Sequence, residues 1–123
     1  NGDTTHTNYR SHLLYYAASA ASPASEANQL SGYYAAVGYT PAANMTASVF
    51  SIQIIDILDY SNTSKNTTVR TVFGLDSNSA TAGYVGLVSS LWMNTAAVSS
   101  ISMTTLPSAN FVANTSVSLY GIK

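Results

Sequence analysis

The sequence contains no cysteine and very little charge. Without cysteine the chain can form no disulfide and offers no thiolate for metal binding or nucleophilic catalysis. Only 7% of its residues are charged, with four Lys+Arg against five Asp+Glu, whereas roughly 25% is usual. Four scattered cations give no basic surface for nucleic acid. No run of 18 apolar residues is present, so we expect no membrane insertion.

Uncharged polar residues are abundant instead. Ser and Thr together number 33 of the 123 residues. Hydrophobic residues make up 46% of the chain and aromatic residues 11%, which is enough to build a core. The length fits one domain, so we expect residues 1–123 to form a single domain.

Short apolar runs alternate with clusters of Ser, Thr, Asn, Gly and Pro, a pattern typical of strands and turns. Residues 17–27, which are rich in Ala and Ser and interrupted by Pro23, are expected to form a loop. The pattern predicts an all-β antiparallel β-sandwich of about seven strands, with a jelly roll as one form of it. The predicted strands are residues 9–16, 32–38, 48–60, 67–75, 83–93, 98–104 and 116–122.

The third and fourth predicted strands each have one apolar face, and the polar residues 61–66 between them predict a hairpin loop. The apolar residues are Phe50, Ile52, Ile54 and Leu58 on the third strand and Val69, Phe73 and Leu75 on the fourth. Matching the two sets predicts a register with the pairs Leu58–Val69, Ile54–Phe73 and Ile52–Leu75. In this register Asp59 lies diagonal to Arg70 on the other face. Asp56 lies opposite Thr71, its expected hydrogen-bond partner.

Residues 83–93 are apolar on both faces of the predicted strand, with Val85, Leu87 and Leu91 on one side and Val88 and Trp92 on the other. A strand of this kind is either central and covered on both faces or part of a subunit contact. We therefore take Val88, Leu91 and Trp92 as candidate subunit-contact residues.

Carboxylates and histidines are too few to suggest catalysis. Asp56 and Asp59 are three residues apart, so on a strand they point to opposite faces and cannot flank one glycosidic bond. His6 and His12 would lie about 20 Å apart on a strand, and with Asp3 they match no metal-ligand spacing. We predict that the chain is not an enzyme, and that it has no catalytic residues, metal site or cofactor.

Nine tyrosines are the most conspicuous candidates for recognition. In the pairs Tyr15-Tyr16 and Tyr33-Tyr34 one ring of each pair should face outward, because side chains alternate along a strand. Exposed rings beside Ser, Thr and Asn suit polar surfaces, including sugars. Tyr16, Tyr34 and Tyr39 are the candidate binding residues, and packing in the core or between subunits is the alternative role for these rings.

Residues 55–70, with the sequence IDILDYSNTSKNTTVR, resemble a segment of a family of tailed-bacteriophage virion structural proteins, often called tail fibre or minor structural proteins. Three further stretches match in the same order. They are residues 1–12, with the NGDT turn and the SH pair at 11–12, residues 86–101, with the sequence GLVSSLWMNTAAVSSI, and residues 110–122, from NF to SLYGI.

The resemblance implies a β-sandwich module of a virion, with no enzymatic activity. It implies a homo-oligomer, with a trimer favoured by analogy with fibres, in contact with other virion proteins and with host-surface glycan attachment as a further role. Similar proteins carry β-rich sequence before the NGD turn. We therefore expect additional strands from the remainder of a longer protein or from a neighbouring chain.

Two alternatives remain open. A capsid decoration or cement protein would contact the shell and would not bind the host. A soluble carbohydrate-binding module would be a monomer with a groove lined by Tyr and Trp.

Overall fold

The computed structural model describes residues 1–17, 20–27, 35–43, 45, 47–79, 82–105 and 109–122. After a 3₁₀ turn at His6–Asn8, five strands follow along the chain. They are β1 (Tyr9–Ala17), β2 (Ala20–Ala27), β3 (Ser51–Leu58), β4 (Thr67–Ser79) and β5 (Ala82–Trp92).

The five strands form one open sheet in the order β2-β1-β5-β4-β3, and every neighbouring pair is antiparallel. The all-β antiparallel prediction is therefore confirmed. Strands predicted at 9–16, 48–60, 67–75 and 83–93 correspond to β1, β3, β4 and β5, and the predicted loop 61–66 lies between β3 and β4. The second sheet that a sandwich requires is not found among the described residues.

Two other predicted strands are not strands in the structure. Residues 98–104 and 116–122 have no ladder partner in the described part of the chain, although their sequences alternate in polarity. In the predicted strand 32–38, residues 32–34 lie outside the described part of the chain, and residues 35–38 are not in a strand. A strand needs a neighbouring backbone for its hydrogen bonds, and alternation of polarity alone does not provide one.

The prediction of a loop at 17–27 was wrong, because Ala20–Ala27 forms β2 and pairs with β1. Pro23 lies inside this strand, which is at the edge of the sheet. An edge strand tolerates proline, since half of its backbone N–H groups need no partner in the ladder.

The predicted register of β3 on β4 was wrong by one residue. Ile54 lies opposite Val72, and Phe73 lies opposite Gln53. A shift of one residue exchanges the two faces of a strand. The apolar sets of the two strands therefore lie on opposite faces of the sheet, because Phe50, Ile52, Ile54 and Leu58 are exposed whereas Val69, Phe73 and Leu75 are buried.

We call the buried side of the sheet the inner face. Its core consists of Leu13, Phe73 and Val88, one residue from each of β1, β4 and β5. Residues 35–43 cover this face. Their Ala36 packs against the core, and its carbonyl accepts a hydrogen bond of 2.9 Å from the Ser90 hydroxyl. The core therefore lies between the sheet and an irregular segment, without a second sheet.

Asp3 fastens the N-terminal turn to the end of β5. Its Oδ2 accepts hydrogen bonds from the Trp92 indole N–H, at 2.7 Å, and from the Asn8 side-chain amide, at 2.8 Å. Its Oδ1 accepts the backbone N–H of Thr5 at 2.9 Å. These hydrogen bonds lower the pKa of Asp3 well below its ordinary value of 3.8. The bond from Asn8 has the largest effect, followed by those from Trp92 and Thr5.

This contact predicts an acid-sensitive fold. The folded pKa of Asp3 lies below its unfolded value, so its contribution is complete above about pH 5 and is lost as the pH falls further. Urea unfolding followed by Trp92 fluorescence should show stability decreasing between about pH 5 and pH 2, and Asp3→Asn should flatten that decrease. Asp59→Asn is the matched control. Asp59 is exposed and its ion pair with Lys65 is long, at 3.9 Å, so its loss should change stability little. An unchanged pH profile in Asp3→Asn would contradict the assignment.

Candidate functional site: the outer face of the sheet

The other side of the sheet, which we call the outer face, is largely apolar, and none of the described residues covers it. Four rows of side chains cross it from strand to strand, set by the ladder register, and the row at one end consists of Leu58, Thr68, Leu91 and Arg10. One row is Ile54, Val72, Leu87 and Leu14, the next is Ile52, Gly74, Val85 and Tyr16, and Phe50 extends the face beyond Ile52. Every large side chain in this set is exposed, from 42% for Leu14 to 71% for Ile52.

The third row bounds the apolar rows and is polar. It runs from Asp56 through Arg70 and Ser89 to His12. Asp56 Oδ2 accepts hydrogen bonds from Arg70 Nη2 at 2.8 Å and from Arg70 Nε at 3.2 Å. The pair neutralises itself, so this polar row adds little net charge beside the apolar rows.

Gly74 makes a shallow depression in the apolar part of the outer face. Phe50, Ile52, Asp76 and Val85 are among the residues around it. A Cβ atom added at Gly74 would lie 3.9 Å from both Ile52 Cγ2 and Val85 Cγ1, an ordinary van der Waals distance. The depression is therefore open space that a side chain from another molecule can fill.

The structure separates the three candidate subunit-contact residues. Val88 and Trp92 face inward and are buried at 2% and 7% exposure, so the packing of their own chain accounts for them. Leu91 is on the outer side of β5 and is half-buried. β5 is central, which is one of the two predicted alternatives, but no described residue covers its outer side. Val85 and Leu87 are therefore better placed for a contact than Val88 and Trp92.

The candidate binding tyrosines do not form one site. Tyr16 is exposed on the outer face, in the same row as Val85. Tyr39 lies on the inner side, stacked on Tyr84 with ring centroids 4.5 Å apart and tilted against Phe73 at 5.7 Å. Tyr34 lies outside the described residues. Tyr16 and Tyr39 are on opposite faces of the sheet and cannot line one groove.

Three of the aspartates form contacts within the fold and not a common site. The expected partner of Asp56 was wrong: it pairs with Arg70, while Thr71 is buried on the inner face with no hydrogen-bond partner for its hydroxyl in the described part of the chain. Asp59 does not pair with Arg70; its nearest cation is Lys65. His12 lies on the outer face and Asp3 holds Trp92.

Among the described residues, no group of three or more His, Cys, Asp or Glu side chains is placed to hold a metal ion. No helix in this part of the chain is long and apolar enough to cross a membrane.

The outer face was not predicted as a site. Its residues Val85 and Leu87 stood out only as the second apolar side of a central strand, and Phe50, Ile52 and Ile54 were expected to be buried. No family model, curated protein or solved structure matches the chain. The outer face is the largest group of exposed apolar side chains on the sheet and is therefore the candidate functional surface.

Proposed function

We propose that this chain is a structural module of a bacteriophage virion, at a tail fibre or another surface appendage, and that it assembles with copies of itself through the outer face. The observation that carries the proposal is the continuous apolar surface of Ile52, Ile54, Val72, Val85 and Leu87. Contiguous apolar surface of this kind usually marks a contact with another molecule. The family resemblance supplies the virion context.

Assembly would also supply the second sheet of the predicted sandwich. Sheets pack face to face about 10 Å apart through apolar side chains that interdigitate. The outer face has such side chains, together with a depression at Gly74 that can receive one from a neighbour. We propose that neighbouring copies provide the second layer, in a trimer as in other fibres.

A carbohydrate-binding module is less well supported. Its groove would need several exposed rings on one surface, and Tyr16 and Tyr39 are on opposite faces. A capsid decoration protein would use the same outer face, and labelling of the protein on particles distinguishes head from tail.

Val72→Asp tests the assembly proposal. Val72 is 50% exposed at the centre of the outer face, so the isolated chain should still fold. A carboxylate buried between copies without a partner should weaken the contact by about 2–5 kcal/mol. Sedimentation velocity should show the native chain as an oligomer and Val72→Asp at the monomer mass of 12.9 kDa.

Ile101→Asp is the matched control, since Ile101 is similarly exposed but lies outside the sheet. This variant should assemble like the native chain. Trp92 fluorescence reports whether each variant is folded, because Trp92 is the single tryptophan and is buried. Equal masses for the native chain and for folded Val72→Asp would contradict the proposal.

A further inference from the structure

The C-terminal residues are apolar and have no partner in the described part of the chain. Val117, Leu119, Tyr120 and Ile122 are between 69% and 87% exposed, among the most exposed large side chains of the protein. Among the described residues no hydrogen bond involves residues 116–122, and the last anchor before them is the turn in which Thr115 N–H donates to the Val112 carbonyl at 3.2 Å. Four exposed apolar side chains in one short segment are costly in water.

The segment departs from the inner side of the molecule. Phe111 forms an isolated antiparallel bridge with Ala42, and Ala43 N–H donates to the Asn110 carbonyl at 3.0 Å. Ala42 belongs to residues 35–43, which cover the inner face. Residues 116–122 therefore begin five residues after an anchor on the segment that covers the inner face.

The edge strand β3 is the complementary feature. It pairs only with β4, and among the described residues no other backbone hydrogen bond involves Ser51–Leu58. An edge of this kind accepts an added strand, and its backbone supplies the affinity while alternate side chains supply the fit. Ile52 and Ile54, which point to the outer face from this edge, give the added strand apolar neighbours.

The size of the outer face gives an independent reason for an added strand. Its apolar part covers four strands and two rows of side chains, with Phe50 beyond them, roughly 20 Å by 15 Å or about 300 Å². A contact of standard size buries about 800 Å² on each partner. A seven-residue strand given to one neighbour and received from another would add a comparable area to that of the face.

We infer that residues 116–122 of one copy add to the free edge of β3 in a second copy. Val117 and Leu119 then extend the outer face beside Ile52 and Ile54. Residues 116–122 carry no charge, and the one charged residue of β3, Asp56, is neutralised by Arg70. The inference rests on the proposed self-assembly and names the segment that joins the copies.

The absence of cysteine allows a direct test by disulfide trapping. One variant carries Leu119→Cys and the other carries Ile54→Cys, and the two are mixed and mildly oxidised. Adjacent strands bring Cα atoms within the range that a disulfide spans. We expect a mixed disulfide between the two variants at about ten times the yield obtained with Thr63→Cys in place of Ile54→Cys. Thr63 is exposed in the loop that follows β3. Ile52→Cys covers a register shifted by two residues.

A second variant separates this inference from the proposed function. Leu119→Asp should fold, because Leu119 is 81% exposed, and should lose assembly. If Leu119→Asp assembles normally and neither Ile54→Cys nor Ile52→Cys exceeds the Thr63→Cys yield, the inference is overturned. In that case the loss of assembly in Val72→Asp alone would still support the outer face as the contact.

Discussion

Replacing Phe73 with alanine should lower the free energy of unfolding by about 3–5 kcal/mol, the range for large aromatic residues in cores. Phe73 is 3% exposed and lies at the centre of the inner face. The loss should be near the upper end, because two of its neighbours, Gly38 and Gly86, have no side chains that could move into the cavity. Urea unfolding monitored by Trp92 fluorescence measures the change.

Val72→Ala is the matched control for Phe73→Ala. The two positions are adjacent on β4 and point to opposite faces, and Val72 is half exposed. Below the concentration at which the chain assembles, Val72→Ala should cost less than about 1 kcal/mol. Similar losses for the two variants would contradict the assignment of inner and outer faces, and with it the observed register of β3 on β4.

The second large effect is expected at Gly86, at the centre of the inner face. A Cβ atom there would come within 2.5 Å of the Leu14 carbonyl oxygen, 2.8 Å of Tyr15 Cβ and 2.9 Å of Phe73 Cε1. The nearest of these atoms is backbone, so the sheet itself would have to move. Gly86→Ala should therefore destabilise the fold by about 3 kcal/mol, the upper end of the usual cost of overpacking.

Gly74→Ala is the control for this substitution, since Gly74 is the glycine of β4 on the outer face. Its added Cβ would meet only ordinary contacts at 3.9 Å. Removing a glycine from a strand interior favours folding by about 0.5–1 kcal/mol, because the unfolded chain loses freedom. Thermal unfolding should place Gly74→Ala at or above the native midpoint and Gly86→Ala well below it. The reverse order would show that the two faces have been exchanged.

Alternation of polarity and the turn residues were enough to predict four of the five strands, the hairpin loop at 61–66 and the antiparallel class. The register in which the strands pair was harder to predict from the sequence. The predicted register assumed that Ile52 and Ile54 must face the same core as Phe73. The structure instead leaves them exposed, at 71% and 61%. The hydrophobic pattern of an isolated chain cannot distinguish a residue buried in its own core from one suited to a contact between chains.

Contacts between residues far apart in the sequence could not be predicted either. Asp3 and Trp92 are 89 residues apart in sequence and joined by a hydrogen bond of 2.7 Å, and no motif indicates that pairing. Residues 116–122 have the alternation of a strand but pair with none of the residues that the structure describes. The predicted strand at that position stays compatible with a partner in a second copy, which is the situation that the added-strand inference describes.

The most direct test of self-assembly through the outer face is the molar mass of the chain in solution, by light scattering over a range of micromolar concentrations. For the native chain we expect a stable oligomer, at three times 12.9 kDa for a trimer, and for Val72→Asp a folded species of 12.9 kDa. A native chain that stays at 12.9 kDa throughout that range, while folded, would contradict the account.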